Sequence, residues 1–249
     1  MPEKHCKRPE MIIFDYGHTL LGEPGFDTLR GEEALFEYIK SNKKNLTFKQ
    51  VNDFSRELLK KISIVRGMGI ELHEWQFQRL LHEYLEIELS VSFAEAENIF
   101  WDNTCPGAVM PDADKMISYI NANGIRSGVI SNIGFSGQAL AMRINRLLPQ
   151  NRFEFIIASS EYMIRKPDPM LFELALKKAG ISAGDVWFCG DNIKADVEGS
   201  AAVGIFPVWY EDETMENLWR GQEKGVTPHC EHLHIHDWNE LIEVLERLK

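Results

Sequence analysis

The sequence predicts an α/β protein, a doubly wound parallel sheet of Rossmann-like type that is interrupted by an inserted all-helical cap domain. Short, continuous apolar runs recur along the chain, as is typical of strands buried on both faces of a parallel sheet. Amphipathic helical patterns separate most of these runs, and such alternation favours right-handed crossovers within one sheet. A long interruption of the alternation near the N-terminus predicts the insertion. The apolar runs are Met11–Phe14, Ser127–Ile130, Phe155–Ala158, Val186–Cys189 and Ile205–Val208.

Capping residues mark the predicted helices between these runs. A helix over 111–122 carries apolar residues at helical spacing and ends at Asn123-Gly124, a typical C-cap. Asp168-Pro169 begins another helix, with proline in its first turn, and Gly180 ends it. Asp237-x-x-Glu240 begins a last amphipathic helix. The sequence after the insertion therefore predicts helices packed on both faces of a sheet.

Residues 21–104 contain helical patterns and no convincing buried strand. An all-helical block between the first and second strands of a sheet is best explained as an inserted cap. We therefore predict an α/β core domain formed by residues 1–20 and 105–249, and a helical cap domain formed by residues 21–104.

Three helices are predicted within this block. Thr47-x-x-Gln50 is a capping-box sequence, a second helix covers Trp75 to Leu89, and Ser92-x-x-Glu95 begins a third. Five aromatic side chains are predicted to form the core of the block itself, namely Trp75, Phe77, Tyr84, Phe100 and Trp101. The sequence leaves open that one or two of them line the substrate cleft instead.

Composition limits the partners of the chain. Its 249 residues include 27 lysines and arginines and 38 aspartates and glutamates, which gives a formal net charge of −11. That excess of carboxylates argues against nucleic acid or an anionic membrane surface as a main partner.

The four cysteines form no C-x-x-C pair and are expected to be reduced thiols. No apolar leader or long apolar span is apparent, so we expect a cytoplasmic protein without a membrane partner. The sequence leaves a homodimer open.

Polar residues at the carboxyl ends of the predicted strands are the candidate functional residues, because ligands bind there in open α/β sheets. Asp15 and Asp191 would repel one another unless a cation lay between them, and Mg²⁺ is the cation that prefers carboxylate and phosphate oxygens. A hydroxyl and a lysine would supply hydrogen bonds and a positive charge to phosphate. A carboxylate such as Asp15 can itself attack phosphorus. The candidates are Asp15, Ser131, Asn132, Lys166, Asp191 and Asp196.

Four segments in order resemble the motifs of the haloacid dehalogenase superfamily, whose members are mostly Mg²⁺-dependent phosphohydrolases with an aspartate nucleophile. The segments are FDYGHTL at 14–20, VISN at 129–132, RKPDP at 165–169 and GDNIKAD at 190–196. The resemblance, together with the position of the cap, covers essentially the whole chain. It implies hydrolysis of a small phosphorylated metabolite through an aspartyl-phosphate intermediate, with Mg²⁺ as cofactor.

The resemblance also implies a role for each matching residue. Asp15 resembles the nucleophile and a metal ligand, and Lys166 resembles the lysine that neutralises the nucleophile and the phosphate. The phosphate would be bound by Ser131, with Asn132 beside it. The metal ligands would be Asp15, the carbonyl group of Gly17, Asp191 and Asp196, the last of which also helps to position the lysine. Thr19 matches the threonine that braces the first loop.

One position departs from the family pattern. Phosphatases of the superfamily carry a second aspartate two residues after the nucleophile, which acts as general acid and then as general base, but this chain has Gly17 there. Loss of a positioned acid/base typically costs about 10²–10⁴-fold in rate. His18 replaces the family's usual glycine next to this gap, and an imidazole can transfer protons near neutrality. Two interpretations of His18 therefore stay open, a catalytic acid/base and a side chain that only fills the cleft.

The departure leaves alternatives to a general phosphatase. Metal-independent dehalogenases carry tyrosine at the Gly17 position, but the two acids of GDNIKAD argue against that activity. Phosphonate (C–P) hydrolases carry a small alanine there and use a cap lysine as a Schiff base. A phosphatase restricted to acyl phosphates would need little protonation of its leaving group, and a catalytically weak relative would act as a phosphate-binding or interaction protein. The lysines of the block are Lys40, Lys43, Lys44, Lys49, Lys60 and Lys61.

Four histidines lie close together near the C-terminus: His229, His232, His234 and His236. The alternation at 232, 234 and 236 would place three imidazoles on one side of an extended segment, where they can bind a transition metal. The simpler interpretation is an exposed edge strand with Leu233 and Ile235 facing inward, and the sequence favours it.

Overall fold

The computed structural model describes residues 7–212 and 226–249. The strands are β1 (Met11–Phe14), β2 (Leu21–Gly22), β3 (Ile39–Asn42), β4 (Ile87–Leu89), β5 (Ala108–Val109), β6 (Arg126–Ser131), β7 (Ile156–Ala158), β8 (Val186–Gly190), β9 (Phe206–Tyr210) and β10 (Leu233–Ile235). The helices are α1 (Thr28–Phe36), α2 (Phe48–Ile62), α3 (Glu74–Leu85), α4 (Phe93–Thr104), α5 (Ala113–Ala122), α6 (Gly137–Leu147), α7 (Pro169–Ala179), α8 (Gly199–Ala202) and α9 (Trp238–Arg247).

Six strands form one parallel sheet in the order β10-β9-β8-β1-β6-β7. The chain runs from β1 outward through β6 and β7, and then crosses to the other side of β1 for β8, β9 and β10. This arrangement confirms the predicted doubly wound sheet. The order in which successive strands are added to the sheet reverses at β1. In such sheets a ligand binds in the crevice at the carboxyl ends of the strands on either side of the reversal, so we expect the crevice at the carboxyl end of β1.

Alternating side chains of β1 reach the two hydrophobic layers of the core. Ile12 and Phe14 belong to a cluster that includes residues of α5, α6 and α9, whereas Met11 and Ile13 belong to a second cluster with residues of α7. All four side chains of β1 are completely buried. Burial on both faces explains why this strand appears in the sequence as an unbroken apolar run.

The inserted block differs in part from the helical prediction. The capping boxes predicted at Thr47 and Ser92 begin α2 and α4, respectively. The helix predicted to end at Leu89, however, ends at Leu85, because Glu86 adopts a left-handed conformation (φ 57°). The chain then forms β4, which pairs antiparallel with β3. The block is therefore mainly helical, with one small sheet that the sequence analysis did not predict.

A two-stranded stem marks where the block leaves the core and returns to it. β2 pairs antiparallel with β5, so that Leu21 lies opposite Val109 and Gly22 lies opposite Ala108. The two ends of the intervening chain are thus neighbours in space. We propose on this basis that the block is a cap domain with boundaries near 21 and 104.

Glu71 joins the proposed cap to the core. Its carboxylate is almost completely buried, accepts a hydrogen bond from Arg66 Nε at 3.0 Å and pairs with Arg165 of the loop before α7. The Ser159 hydroxyl, just after β7, donates to the same carboxylate at 3.0 Å. A buried glutamate with these partners is compensated by charge and hydrogen bonds, so its removal would leave two arginines unpaired at this contact.

Glu97 of α4 makes another buried contact between the proposed cap and the core. It accepts hydrogen bonds from the Ser136 backbone amide at 2.6 Å and from the Trp75 indole at 2.8 Å. Since Ser136 is the N-cap of α6, the negative charge lies at the positive end of that helix.

The prediction that five aromatics form the core of the block is wrong for Trp101 and Tyr84. Trp101 belongs to the main core cluster and stacks on Phe135 at 4.0 Å between ring centroids. Tyr84 is 64% exposed, so it does not lie in a core. No helix within residues 7–212 and 226–249 has the length and apolar character needed to cross a membrane.

Candidate active site

The strand ends around β1 gather the predicted site residues in one place. Asp15 directly follows β1, Ser131 is the last residue of β6, and Asp191 directly follows β8. Lys166 comes from the loop before α7 and Asp196 from the helical turn after β8. None of these five side chains belongs to a residue more than 5% exposed, although all are ionisable or polar. Burial of so many polar groups requires that they compensate one another.

Lys166 lies at the centre of this group. Its ammonium nitrogen is 2.7 Å from Asp15 Oδ1, 2.6 Å from Asp196 Oδ1 and 2.9 Å from the carbonyl oxygen of Ile130. These three acceptors match the three donors of an ammonium group. Burial alone lowers the pKa of Lys166, but the charges of Asp15 and Asp196 outweigh that effect and raise it above its usual value. Lys166 is therefore a fixed positive charge.

Asn132 makes two hydrogen bonds to the backbone of Lys166. Its side-chain amide donates to the Lys166 carbonyl at 2.8 Å, and its side-chain oxygen accepts from the Lys166 backbone amide at 2.7 Å. The family resemblance implies phosphate binding by Ser131 with Asn132 beside it, and both residues line the cavity. We propose that Asn132 also positions Lys166 through these two hydrogen bonds.

The donor set fits a divalent cation. Ligand oxygens of Asp15, Asp191 and Asp196 all lie within 4.8 Å of one another. Burial raises the pKa of Asp196, which reflects the cost of holding another negative charge here, although Lys166 opposes the rise. With all three carboxylates ionised, one lysine leaves a net charge of −2 on the group, which one Mg²⁺ would balance. A site of oxygen donors alone is also the type that Mg²⁺ prefers.

The turn after β8 depends on a glycine. A Cβ atom added to Gly190 would lie 2.5 Å from the Asp196 side chain, so a larger residue would push that carboxylate away. The Asn192 backbone amide donates to Asp196 Oδ2 at 2.9 Å, and its side chain caps the turn through the Ala195 amide. The Thr19 hydroxyl lies 3.5 Å from Asp191 Oδ1 and braces it. The spacing within GDNIKAD is therefore explained by local geometry.

Gly17 and His18 both line the cavity above these carboxylates. His18 has a left-handed backbone (φ 55°), a conformation that favours glycine. Strain of this kind costs on the order of 1 kcal/mol and is often found at functional sites. The strained backbone and its place in the cavity wall support a functional interpretation of His18.

The cavity lies between the sheet edge and the proposed cap, and its volume is about 740 Å³. Its lower wall contains Asp15, Ser131 and Lys166. Helical spacing does not distinguish a cavity wall from a solvated helix face, so the charged residues of the upper wall were not predicted, whereas one or two aromatic residues of the block were left open as cleft residues. The upper wall mixes cationic, acidic and aromatic side chains. These are Glu32, Arg56, Arg66, Glu74, Phe77 and Phe100.

Glu74 is the residue of this upper wall with the most altered titration. Desolvation raises the pKa of its carboxyl group to about 7, the nearby charge of Glu97 adds to the rise, and a 2.7 Å hydrogen bond from Gln78 opposes it. The folded protein thus holds a proton on Glu74 that the unfolded chain loses at lower pH. The stability due to the protonated group is complete below the ordinary pKa and is lost as the pH rises through about 7.

Replacement of Glu74 by glutamine should therefore flatten the pH dependence of stability. Between about pH 5 and about pH 8, wild-type protein should lose about 1–2 kcal/mol relative to Glu74→Gln, after allowance for solvent in the open cavity. Denaturant unfolding at both pH values measures this difference. Glu57→Gln, at an exposed position of α2, is the control. Equal pH slopes for wild type and Glu74→Gln would contradict the assignment.

Comparisons with known proteins identify the family. The family description "haloacid dehalogenase-like hydrolase" matches residues 9–204. The chain therefore belongs to the haloacid dehalogenase-like hydrolases, and it is an enzyme of phosphatase-like type, as the motifs predicted.

Individual relatives are distant. A glyceraldehyde 3-phosphate phosphatase from Pyrococcus abyssi is 26% identical over 206 residues, which are 81% of each chain. The solved structure of a 2-haloacid dehalogenase from Pseudomonas syringae pv. tomato superposes with a TM-score of 0.64 at 20% identity, over 96% of this chain and 99% of the other. A phosphatase of the same superfamily from Thermococcus onnurineus gives a TM-score of 0.62 at 18% identity, over 94% and 97%. These similarities show a shared fold.

Proposed function

We propose that the protein is a Mg²⁺-dependent phosphohydrolase that acts on a small phosphorylated metabolite through an aspartyl phosphate on Asp15. The observation that carries the proposal is the arrangement of Lys166 between Asp15 and Asp196, with Asp191 completing the group, at the carboxyl end of β1. A buried carboxylate beside a fixed cation suits attack on an anionic phosphate, because the cation reduces the repulsion between the two.

The proposed reaction has two steps. The Asp15 carboxylate attacks phosphorus, an acyl-phosphate bond forms, and the bond to the leaving-group oxygen breaks. Water then attacks the phosphorus of the aspartyl phosphate, which releases inorganic phosphate and restores the carboxylate. The ammonium group of Lys166 neutralises negative charge on Asp15 and on the phosphate, and the Ser131 hydroxyl donates a hydrogen bond to a phosphate oxygen. Mg²⁺ bound to the three aspartates, with the Gly17 carbonyl as a further ligand, would supply additional neutralisation of charge.

The leaving group is where this chain should differ from other phosphatases. No side chain at Gly17 can donate a proton to the departing oxygen. His18, its neighbour in the sequence, lines the same cavity and carries an imidazole, which can transfer protons. An acyl phosphate leaves as a carboxylate, which needs little protonation. We therefore expect acyl phosphates to be hydrolysed faster than alkyl phosphomonoesters.

A phosphonate hydrolase receives less support. That activity would need a cap lysine in the cavity, but all six lysines of the block are exposed. None of them is among the residues that line the cavity in the described part of the chain, and Lys166 is the lysine that does line it. Lys40, Lys44 and Lys49 instead pair with surface glutamates or aspartates.

The test is phosphate release from acetyl phosphate and, side by side, from an alkyl phosphomonoester, with enzyme that has been treated with a chelator and then supplied with Mg²⁺. We expect release that requires Mg²⁺ and is faster with acetyl phosphate. Release that does not depend on metal would contradict the proposal. Binding of phosphate without turnover of either substrate would instead favour the phosphate-binding or interaction protein.

A further inference from the structure

A second group of metal-ligating side chains lies at the edge of the sheet. Glu211 follows β9, and His234 and His236 come from β10 and the residue after it. One ligand atom from each of these three lies within 4.8 Å of the others. Glu211 is half-buried and both histidines are exposed, so an ion could reach them from solvent.

Backbone pairing fixes the relative positions of these side chains. β10 runs parallel to β9, so that His234 lies beside Trp209. The Glu211 amide donates to the Ile235 carbonyl at 2.9 Å, which continues the pairing beyond β9. Ile235 is buried beneath the edge, as the interpretation of this segment as an edge strand predicted. The three side chains therefore belong to a paired strand edge and not to a loose tail.

The hydrogen bond of His236 is that of a metal ligand. Nδ1 of His236 lies 3.2 Å from the Glu211 carbonyl oxygen. A carbonyl oxygen can only accept, so Nδ1 carries the proton and Nε2 keeps its lone pair when the ring is neutral. Hydrogen bonding of the second ring nitrogen to a carbonyl group is the usual way in which proteins orient a histidine ligand.

His234 is oriented by an aromatic ring. Its imidazole stacks on the buried Trp209 indole, with 4.0 Å between centroids and 12° between planes. Its Nε2 lies 3.0 Å from Glu211 Oε2. Two ligands that each bind zinc at about 2.0–2.2 Å in a tetrahedral site are about 3.3 Å apart. The pair is therefore close to the spacing that Zn²⁺ requires.

We propose that Glu211, His234 and His236 form a Zn²⁺ site that is separate from the carboxylate group at Asp15. Two imidazoles and one carboxylate suit Zn²⁺ much better than Mg²⁺, which prefers oxygen ligands alone. Binding replaces the Nε2–H···O contact of His234 with two metal bonds, and the proton of that ring moves to Nδ1. The bound ion would link β10, through His234 and His236, to the segment after β9, through Glu211.

The experiment measures Zn²⁺ binding by titration calorimetry on the full chain without an affinity tag, in excess Mg²⁺ to occupy the aspartate site. We expect wild-type protein to bind Zn²⁺ at a site whose affinity falls by at least about tenfold in His234→Gln and in Glu211→Gln. His229→Gln is the matched control, since that exposed histidine pairs with Glu198 outside the cluster.

A second readout follows folding rather than binding. Zn²⁺ should raise the melting temperature of wild-type protein and of His229→Gln, but not that of His234→Gln, because an ion that binds the folded state stabilises it. The proposal is overturned if His234→Gln and His229→Gln bind Zn²⁺ equally to wild type, or if all three lack binding. Folding of the variants is checked by their melting temperatures without zinc. Phosphate release plays no part in either readout.

Discussion

Replacement of Asp15 by asparagine should reduce phosphate release by at least about 10⁴-fold, with either acyl or alkyl phosphates as substrate. Asparagine has nearly the same shape, but its amide cannot act as the nucleophile. It also cannot form the ion pair that the Asp15 carboxylate makes with the Lys166 ammonium at 2.7 Å. Both substrates must pass through the same acyl-phosphate step, so both rates should fall together. Initial rates of phosphate release measure the effect.

The matched control is Asp168→Asn, which makes the same chemical change two residues from Lys166. Asp168 is the N-cap of α7 and accepts a 2.9 Å hydrogen bond from the Met170 amide. Asparagine caps helices about as well as aspartate, so activity and stability should be nearly unchanged. If Asp15→Asn kept a substantial part of the wild-type rate, the nucleophile would have to be another group.

Replacement of Gly17 by aspartate should increase hydrolysis of an alkyl phosphomonoester by about 10²-fold or more, because it supplies the missing acid/base group. Gly17 is not among the glycines with positive φ, so its backbone tolerates a side chain. Acetyl phosphate should gain little, since its leaving group needs little protonation. The ratio of the two rates, measured as kcat/KM for each substrate, is the quantity that changes.

Gly17→Asn is the control that distinguishes an effect of proton transfer on the rate from an effect of the added side-chain volume. It has the size of aspartate but cannot exchange a proton near neutrality, and we expect no gain with the alkyl ester. Equal rates for the two variants would show that acid/base chemistry does not limit this enzyme. In that case His18→Ala would show whether the imidazole already provides it.

The residues of the candidate site could be predicted from the sequence because strand ends in a parallel sheet meet at one edge. Asp15, Ser131 and Asp191 each follow the end of an apolar run. Because parallel strands end at the same edge of the sheet, the topology alone predicts that these residues lie close to one another. The interactions of Glu71 and Glu97 could not be predicted in that way. Each depends on at least one partner far along the chain, namely Ser159 and Arg165 for Glu71 and Ser136 for Glu97. A glutamate has the same appearance in the sequence whether it is buried or solvated.

The small sheet of the proposed cap could not be predicted for a related reason. Ile87–Leu89 is too short to show strand periodicity, and only its pairing with β3, about fifty residues earlier in the chain, makes it a strand. Trp101 shows the same dependence on tertiary contacts. Its position in an amphipathic helix was correctly predicted to be buried, but helical spacing does not say which neighbour covers that face.

The stem formed by β2 and β5 has a consequence for grafting another insert onto this core. In terms of chain connectivity, residues 23–107 form a cassette whose ends are adjacent, so another insert could be spliced in without breaking the sheet. Packing makes this graft harder, because Trp101 fills space among the side chains of the core and Arg143 lies 3.8 Å above its ring. A replacement insert would therefore need a side chain that fills the space of Trp101, in addition to ends that fit the stem.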